Sequence, residues 1–343
     1  MTTTTLTGRA ASVRVIPILE ALAVIAFLIV PAFGSTYATD TAGRILILGL
    51  LALSFDLAWG YTGILSFGQA LFFGAGGYAV ALVSTQGGIS SILVGVPIAI
   101  VAGIVFSAFA ALLLLVGKRP PGVIFVALGT LAGSYAAEQL AAGWYAIGAA
   151  NGIPSVPYPT IGGLQIHGIA LYYMIFAIMV AVYALVRYLV RSQFGLVLAG
   201  IRQQESRLMF LGYSIPHFKA IVFVLAGAIA GLGGGLFVFH AGFASPGFLG
   251  VLLSTKTVFY VFFGGVGALI GSLYGVAIVE VAGTVLSQAY PNLWPVLLGA
   301  ILLAVVMFRP SGLIGLVVPL RERIGDFGGK RKNGSLPVTE KQD

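Results

Sequence analysis

RSQFGLVLAGIRQQESRLMFLGYSIPHFK, residues 191–219, is the one sizeable polar interruption in a sequence that is otherwise apolar from residue 17 to residue 309. What flanks it decides the fold. On either side stand continuous apolar runs of about 17 to 25 residues, the length a helix needs to cross roughly 30 Å of hydrocarbon at 1.5 Å per residue. The runs predict spans near 17–33, 44–60, 63–83, 92–116, 122–147, 169–190, 219–240, 256–271, 272–288 and 292–308. The expected fold class is therefore all-α: a polytopic membrane protein of about eight to ten transmembrane or partly spanning helices. The 256–288 pair is short for two full passes and reads as shortened or broken around Gly264-Gly265-Val266-Gly267.

Composition agrees. Of 343 residues 59% are hydrophobic and 8% charged, whereas soluble domains carry about 25% charged residues to cover a wetted surface. Cysteine is absent, which removes disulfides and thiolate chemistry, and His167, His217 and His240 lack metal-ligand spacing. The net charge of +8 sorts by side. With a cytoplasmic N-terminus and alternating spans, sixteen of eighteen basic residues fall on inner segments, and only Arg44 and Lys256 fall outside. That expectation gives a cytoplasmic tail over 1–16, a transmembrane body over 17–309 and a cytoplasmic tail over 310–343. The basic residues are thereby assigned to topology, and nucleic acid is not an expected partner. The first apolar run lacks a clear cleavage site before Asp40 and is read as an uncleaved span.

Within the polar stretch, Phe194, Val197, Leu198, Ile201, Leu208 and Met209 recur at helical spacing, while Arg202, Gln203, Gln204 and Arg207 fall largely elsewhere. This predicts an amphipathic helix, stopped by Gly212 and followed by the break at Pro216. Its polar side mixes Glu205 with Arg202 and Arg207, which fits docking into a cytosolic partner better than lying on anionic lipid.

Here a resemblance enters. DLAWGYTGILSFGQALFFGAGGYAVAL (56–82), residues 191–236, FASPGFLG (243–250) and PNLWPVLLGAILLAVVMFRPSGLIGL (291–316) resemble the LivM-type permeases of branched-chain amino acid and urea ABC importers. The resemblance implies that the coupling segment 192–218 carries a cytoplasmic coupling helix over 194–212, seated in an ATPase subunit. It assigns Phe194, Gly195, Leu198, Ile201, Arg202, Glu205, Arg207 and Gly212 to that contact. Gly200 stands where the family usually has alanine. The resemblance further implies a homologous second permease subunit, two ATP-binding subunits carrying ATP and Mg, and an external solute-binding protein, all in a bacterial cytoplasmic membrane. No G-x-x-x-x-G-K-[ST] occurs in the sequence, so the chain is not expected to be an enzyme or to bind a cofactor directly.

Tyr61, Thr62, Ser66 and Gln69 lie in a glycine-rich stretch at membrane depth. Broken backbone there must be surrounded by protein or water. The four are expected either to line a substrate pathway or to make interhelical hydrogen bonds. Asp56, Glu138 and Glu280 are the acids within spans, with Lys256 and His240 expected near outer ends, and each needs a partner, water or the pathway. Two glycine ladders, Gly227-Gly231-Gly235 and Gly267-Gly271-Gly275, predict close helix packing within or between subunits. The loop Asn151-Gly152-Ile153-Pro154, followed by Pro157 and Pro159, reads as stiff and turn-prone. Two other classes remain open beside the importer. An ion-coupled secondary transporter would need paired half-helices and intramembrane charge, and a membrane enzyme would need a convergent acid, base or metal cluster. The cargo expected is a branched-chain or similar amino acid, with urea or short amides as the alternative.

Overall fold

A computed structural model describes residues 15–115 and 122–289, with 296, 299, 300, 312 and 313 beyond them. Its helices are α1 (Val15–Phe33), α2 (Thr36–Thr62), α3 (Gln69–Thr85), α4 (Ile92–Leu114), α5 (Val123–Gly143), α6 (Ile169–Arg191), α7 (Gln193–Gln203), α8 (Glu205–Phe210), α9 (Ile215–Ala241), α10 (Val251–Gly264) and α11 (Leu269–Ala289). Among the described residues eight helices are long and apolar enough to cross a membrane, and α3 is a shorter apolar helix. A two-stranded hairpin, Thr160–Ile161 against Leu164–Gln165, forms the one sheet there. The all-α membrane fold expected from the apolar runs is the fold found. The expected span 292–308 and most of both tails fall outside the described residues.

The centre of the bundle is α2, which packs on α9, α3, α6, α10 and α11. Phe55, Phe72, Phe73, Phe223 and Phe239 are fully buried there, and Phe72 meets Phe223 edge-on at 5.4 Å between centroids. Lipid supplies no hydrophobic force between helices, so close backbone approach must hold them. The first glycine ladder supplies it within the chain. A Cβ at Gly231 would lie 2.5 Å from the Ala99 carbonyl oxygen and 2.8 Å from the Gly103 Cα, and one at Gly235 would lie 2.6 Å from the Ala99 Cβ. This ladder seals α9 to α4. The second is only partly a ladder: Gly271 and Gly275 pack on α10, whereas Gly267 stands in the turn between α10 and α11 with φ +79°.

Two expected spans are interrupted. In the 63–83 region α2 closes on Gly63 at φ 74°, the chain returns through 64–68, and α3 starts only at Gln69. The Ser54 hydroxyl donates to Gln69 Oε1 at 3.2 Å, so α3 begins about 12 Å inside the end of α2, eight residues along it. In the 256–288 region the break falls at 265–268, giving α10 and α11 as an antiparallel pair. Its position agrees with the glycine cluster, although α10 starts earlier than expected, at Val251.

The bundle has two unlike ends. At one lie α7, α8, the end of α2 and the 265–268 turn, here termed the arm end. At the other, the 144–168 segment is tied down: Ile153 and Ala244 exchange both backbone hydrogen bonds at 2.9 Å, and Val156 N–H donates to Gly242 O at 2.8 Å. The stiff loop is thus bound to the α9–α10 link.

Candidate functional site: the α7–α8 arm and the polar stripe of α5

The expected single helix over 194–212 is two helices. The break is Gln204, extended at φ −156°, ψ 93°. Across the break Leu208 folds back over Gly200, where a Cβ would lie 2.9 Å from Leu208 Cδ1. Gly212, at φ +86°, ends α8 as expected, and Pro216 sits in the first turn of α9. The α6–α7 corner is so tight that a Cβ on Gly195 would run into the Val190 carbonyl.

The apolar side of α7 faces the bundle. Leu198 and Ile201 are buried in one cluster with Leu53, Leu57 and Tyr61 of α2, Val186 and Val190 of α6, and Ile215 and Val222 of α9. Phe194 packs on Phe218, 5.6 Å between centroids. Arg202, expected on the polar side, donates to the Gly60 carbonyl at the end of α2. Beside it the Gly267 N–H donates to Asp56 Oδ1 at 2.7 Å, and the Tyr61 hydroxyl donates to Gly267 O at 3.3 Å. A Cβ on Gly267 would lie 2.8 Å from Arg202 Nη1. Arm, α2 and the α10–α11 turn therefore meet at one point.

Glu205 opens α8, where the helix dipole favours an acid, and accepts from Lys219 Nζ at 2.5 Å. Lys219 is buried, so this pair pins α8 to α9. Beyond it the surface turns apolar: Phe210 is 92% exposed and Leu211 72%, with Met209 and Tyr213 also exposed. Arg207 and Gly212 are exposed as well.

Tyr61, Thr62, Ser66 and Gln69 are all buried. Thr62 Oγ1 donates to Ala58 O, Ser66 Oγ accepts from Gly68 N–H, and Gln69 Nε2 is buried without a hydrogen-bond partner. Around them stand residues the sequence reading passed over. Thr130 Oγ1 accepts from Phe67 N–H and Ser134 Oγ donates to Phe67 O, both at 3.0 Å, while Ser254 Oγ accepts from Ala70 N–H at 3.3 Å. Glu138 extends the same stripe of α5, its carboxyl atoms 2.5 to 2.8 Å from where a Gly250 Cβ would stand. The four-residue spacing Thr130-Ser134-Glu138 was the available signal.

Glu280 is not isolated: Arg44 Nη2 lies 2.9 Å from it and the Tyr260 hydroxyl donates to it at 2.5 Å. His240 Nε2 lies 3.3 Å from Asp40. Glu20 also escaped the sequence reading. It accepts from the Tyr183 hydroxyl at 2.6 Å and pairs with Arg187, tying α1 to α6. No cluster of three or more potential metal-ligating side chains exists among the described residues.

Residues 37–306 match the family described as "Branched-chain amino acid transport system / permease component". Two relatives are named "High-affinity branched-chain amino acid transport system permease protein LivM". The one from Salmonella typhimurium is 26% identical over 327 residues, covering 88% of this chain and 76% of its own. The one from Escherichia coli is 26% identical over 305 residues, covering 82% and 70%. No solved structure matches. A bundle of apolar helices broken by glycine turns, carrying one polar arm, and matched along 37–306, belongs to the branched-chain amino acid transport permease family.

Proposed function

We propose that the chain forms half of the translocation pathway of an ATP-driven importer in a bacterial cytoplasmic membrane, with both termini cytoplasmic. Its partners are a homologous second permease subunit, two ATP-binding subunits that hold ATP and Mg, and an external solute-binding protein. The observation that carries this reading is the two-sided arm. One side is bonded into the bundle by Arg202, Ile201 and the Glu205–Lys219 pair. The other leaves Phe210 and Leu211 open, as a surface that docks a second protein requires. An element gripped at one side and docked at the other passes a partner's movement to α2 and the 265–268 turn. Phe194, Gly195, Leu198 and Ile201 form its inner grip, and Arg207 and Gly212 lie toward the partner. Tyr61, Thr62, Ser66 and Gln69, with the α5 stripe, belong to the pathway wall.

The cargo is a branched-chain or similar amino acid, the solute for which both relatives are named. Urea and short amides are the alternative for the same machinery. The test is uptake by the complete reconstituted complex. Arg202→Glu and Ile201→Asp remove uptake while the permease remains inserted, and Phe210→Asp, which touches no buried contact, releases the ATP-binding subunits. Normal ATP-dependent uptake in all three variants overturns the coupling role. A thermal-shift screen of the solute-binding protein with leucine, valine, urea and acetamide tests the cargo, and stabilisation by urea alone rejects the amino acid.

A further inference from the structure

The outward faces of the bundle are not alike. On α4 the exposed side chains include Leu93, Val101, Val105, Phe109, Leu112 and Leu113, a surface suited to lipid. On α5 and α10 polar and charged groups interrupt the apolar ones: Tyr135, Gln139 and Lys256 are exposed and Glu138 half-exposed. Lys256 was expected at an outer end. Instead it lies in the second turn of α10, eight residues before Gly264 at the arm end, hence about 12 Å into a layer of about 30 Å. Ser254, two residues before it, bonds the first turn of α3, which itself starts inside the bundle. Charge at that depth is expensive and marks a water-filled path or a partner. Neither Glu138 nor Lys256 forms a salt bridge with another described residue.

The two charges are opposite, and both lie along the first two turns of α10. The Glu138 carboxylate lies against Gly250, and Lys256 follows six residues later, about 9 Å further along α10. The lysine stem shortens that gap. Leu252 lies exposed on α10 between Gly250 and Lys256 in sequence. We propose that Glu138 and Lys256 form a station in the translocation pathway for a zwitterionic α-amino acid. Lys256 Nζ takes the carboxylate, the Glu138 carboxylate takes the ammonium, and Leu252 meets the apolar side chain. The proposal rests on the importer reading above and sharpens it, since urea and amides carry neither charge. Both contacts are charge-assisted, which makes them stronger than neutral ones.

The experiment measures leucine moved per ATP hydrolysed in proteoliposomes holding the whole complex and saturated, loaded binding protein. Glu138→Gln and Lys256→Met each lower the leucine-to-ATP ratio about tenfold, as loss of one charge-assisted hydrogen bond implies, while hydrolysis and co-purification of the sister permease persist. Glu138→Asp and Lys256→Arg restore most of the ratio. An unchanged ratio in both neutral variants overturns the station. So does a loss that tracks loss of the sister permease, which makes Lys256 an assembly contact instead. Wild-type uptake that needs no ATP sinks the importer reading, and the effect of the variants on that gradient-driven uptake then still decides the station.

Discussion

Asp56→Ala is the substitution whose cost follows most directly from geometry. Asp56 is fully buried near the end of α2, and its Oδ1 accepts the Gly267 N–H at 2.7 Å. Without the carboxylate, that amide, packed where a Cβ on Gly60 would come within 2.8 Å of the Gly267 nitrogen, loses its acceptor. Loss of a hydrogen bond to a charged group costs about 1.5–3 kcal/mol when its partner stays buried. Asp56 Oδ2 offsets part of this, because it is itself buried without a hydrogen bond and removing it relieves a desolvation cost. The net expectation for Asp56→Ala is about 2 kcal/mol.

Asp56→Asn separates the two contributions. Its amide oxygen keeps the acceptor for Gly267, and its NH2 replaces an oxygen that had no partner, so the expected loss is below about 1 kcal/mol. The assay is reversible unfolding in mixed micelles titrated with a denaturing detergent, read by tryptophan fluorescence and helical circular dichroism. Equal destabilisation by Ala and Asn would show that the negative charge near Arg202, and not the hydrogen bond to the turn, is what the corner needs. Equal stability of all three proteins would refute the joint altogether.

Other consequences can be read with the same titration. Gly231→Leu drives a side chain into the Ala99–Gly103 backbone of α4 and costs about 3 kcal/mol, whereas Gly133→Ala, whose Cβ would meet only Leu71 Cδ2 at 3.9 Å, is neutral or stabilises by about 0.5 kcal/mol. Glu205→Gln strands the buried Lys219 and costs about 2 kcal/mol; adding Lys219→Met recovers most of that loss, and a double variant no better than the single would refute the pairing. Gly200→Ala, which installs the alanine usual in the family, presses only on the tip of Leu208 and shifts stability by less than about 1 kcal/mol, helix propensity compensating the contact.

Spans were legible because apolar length is a property of the chain itself, and the breaks at 63–68 and 265–268 because glycine clusters mark them. Gly212 announced the end of α8 for the same reason. The bend at Gln204 was not legible, since no breaker stands there and the contact of Leu208 with Gly200 across it is tertiary. Direction was likewise hidden for Arg202: helical spacing places it away from Ile201, but only the tertiary position of Gly60 turns its guanidinium inward. Glu280 was expected to need a partner, but which one was hidden because Arg44 and Tyr260 come from other segments of the sequence. Thr130, Ser134 and Glu138 repeat at four-residue spacing, yet the stripe gains meaning only where Phe67 and Gly250 bring unwound backbone against it.

The proposed coupling and the proposed station share one element. Arg202 and Asp56 both bear on the 265–268 turn, which closes α10, and Lys256 lies two turns up the same helix. The α10–α11 pair is held by backbone contacts of Gly271 and Gly275 with Gly264 and Tyr260, which brace the end of α10 next to the turn. The Glu138 side of the station belongs to α5, which joins the bundle through few bonds, those of Thr130 and Ser134 to Phe67 among them. On the proposed coupling, a push on the arm would bear on the lysine more directly than on the glutamate. The separation of the two charges is the quantity such a push changes, and a zwitterion held between them would be gripped in one arrangement and released in the other.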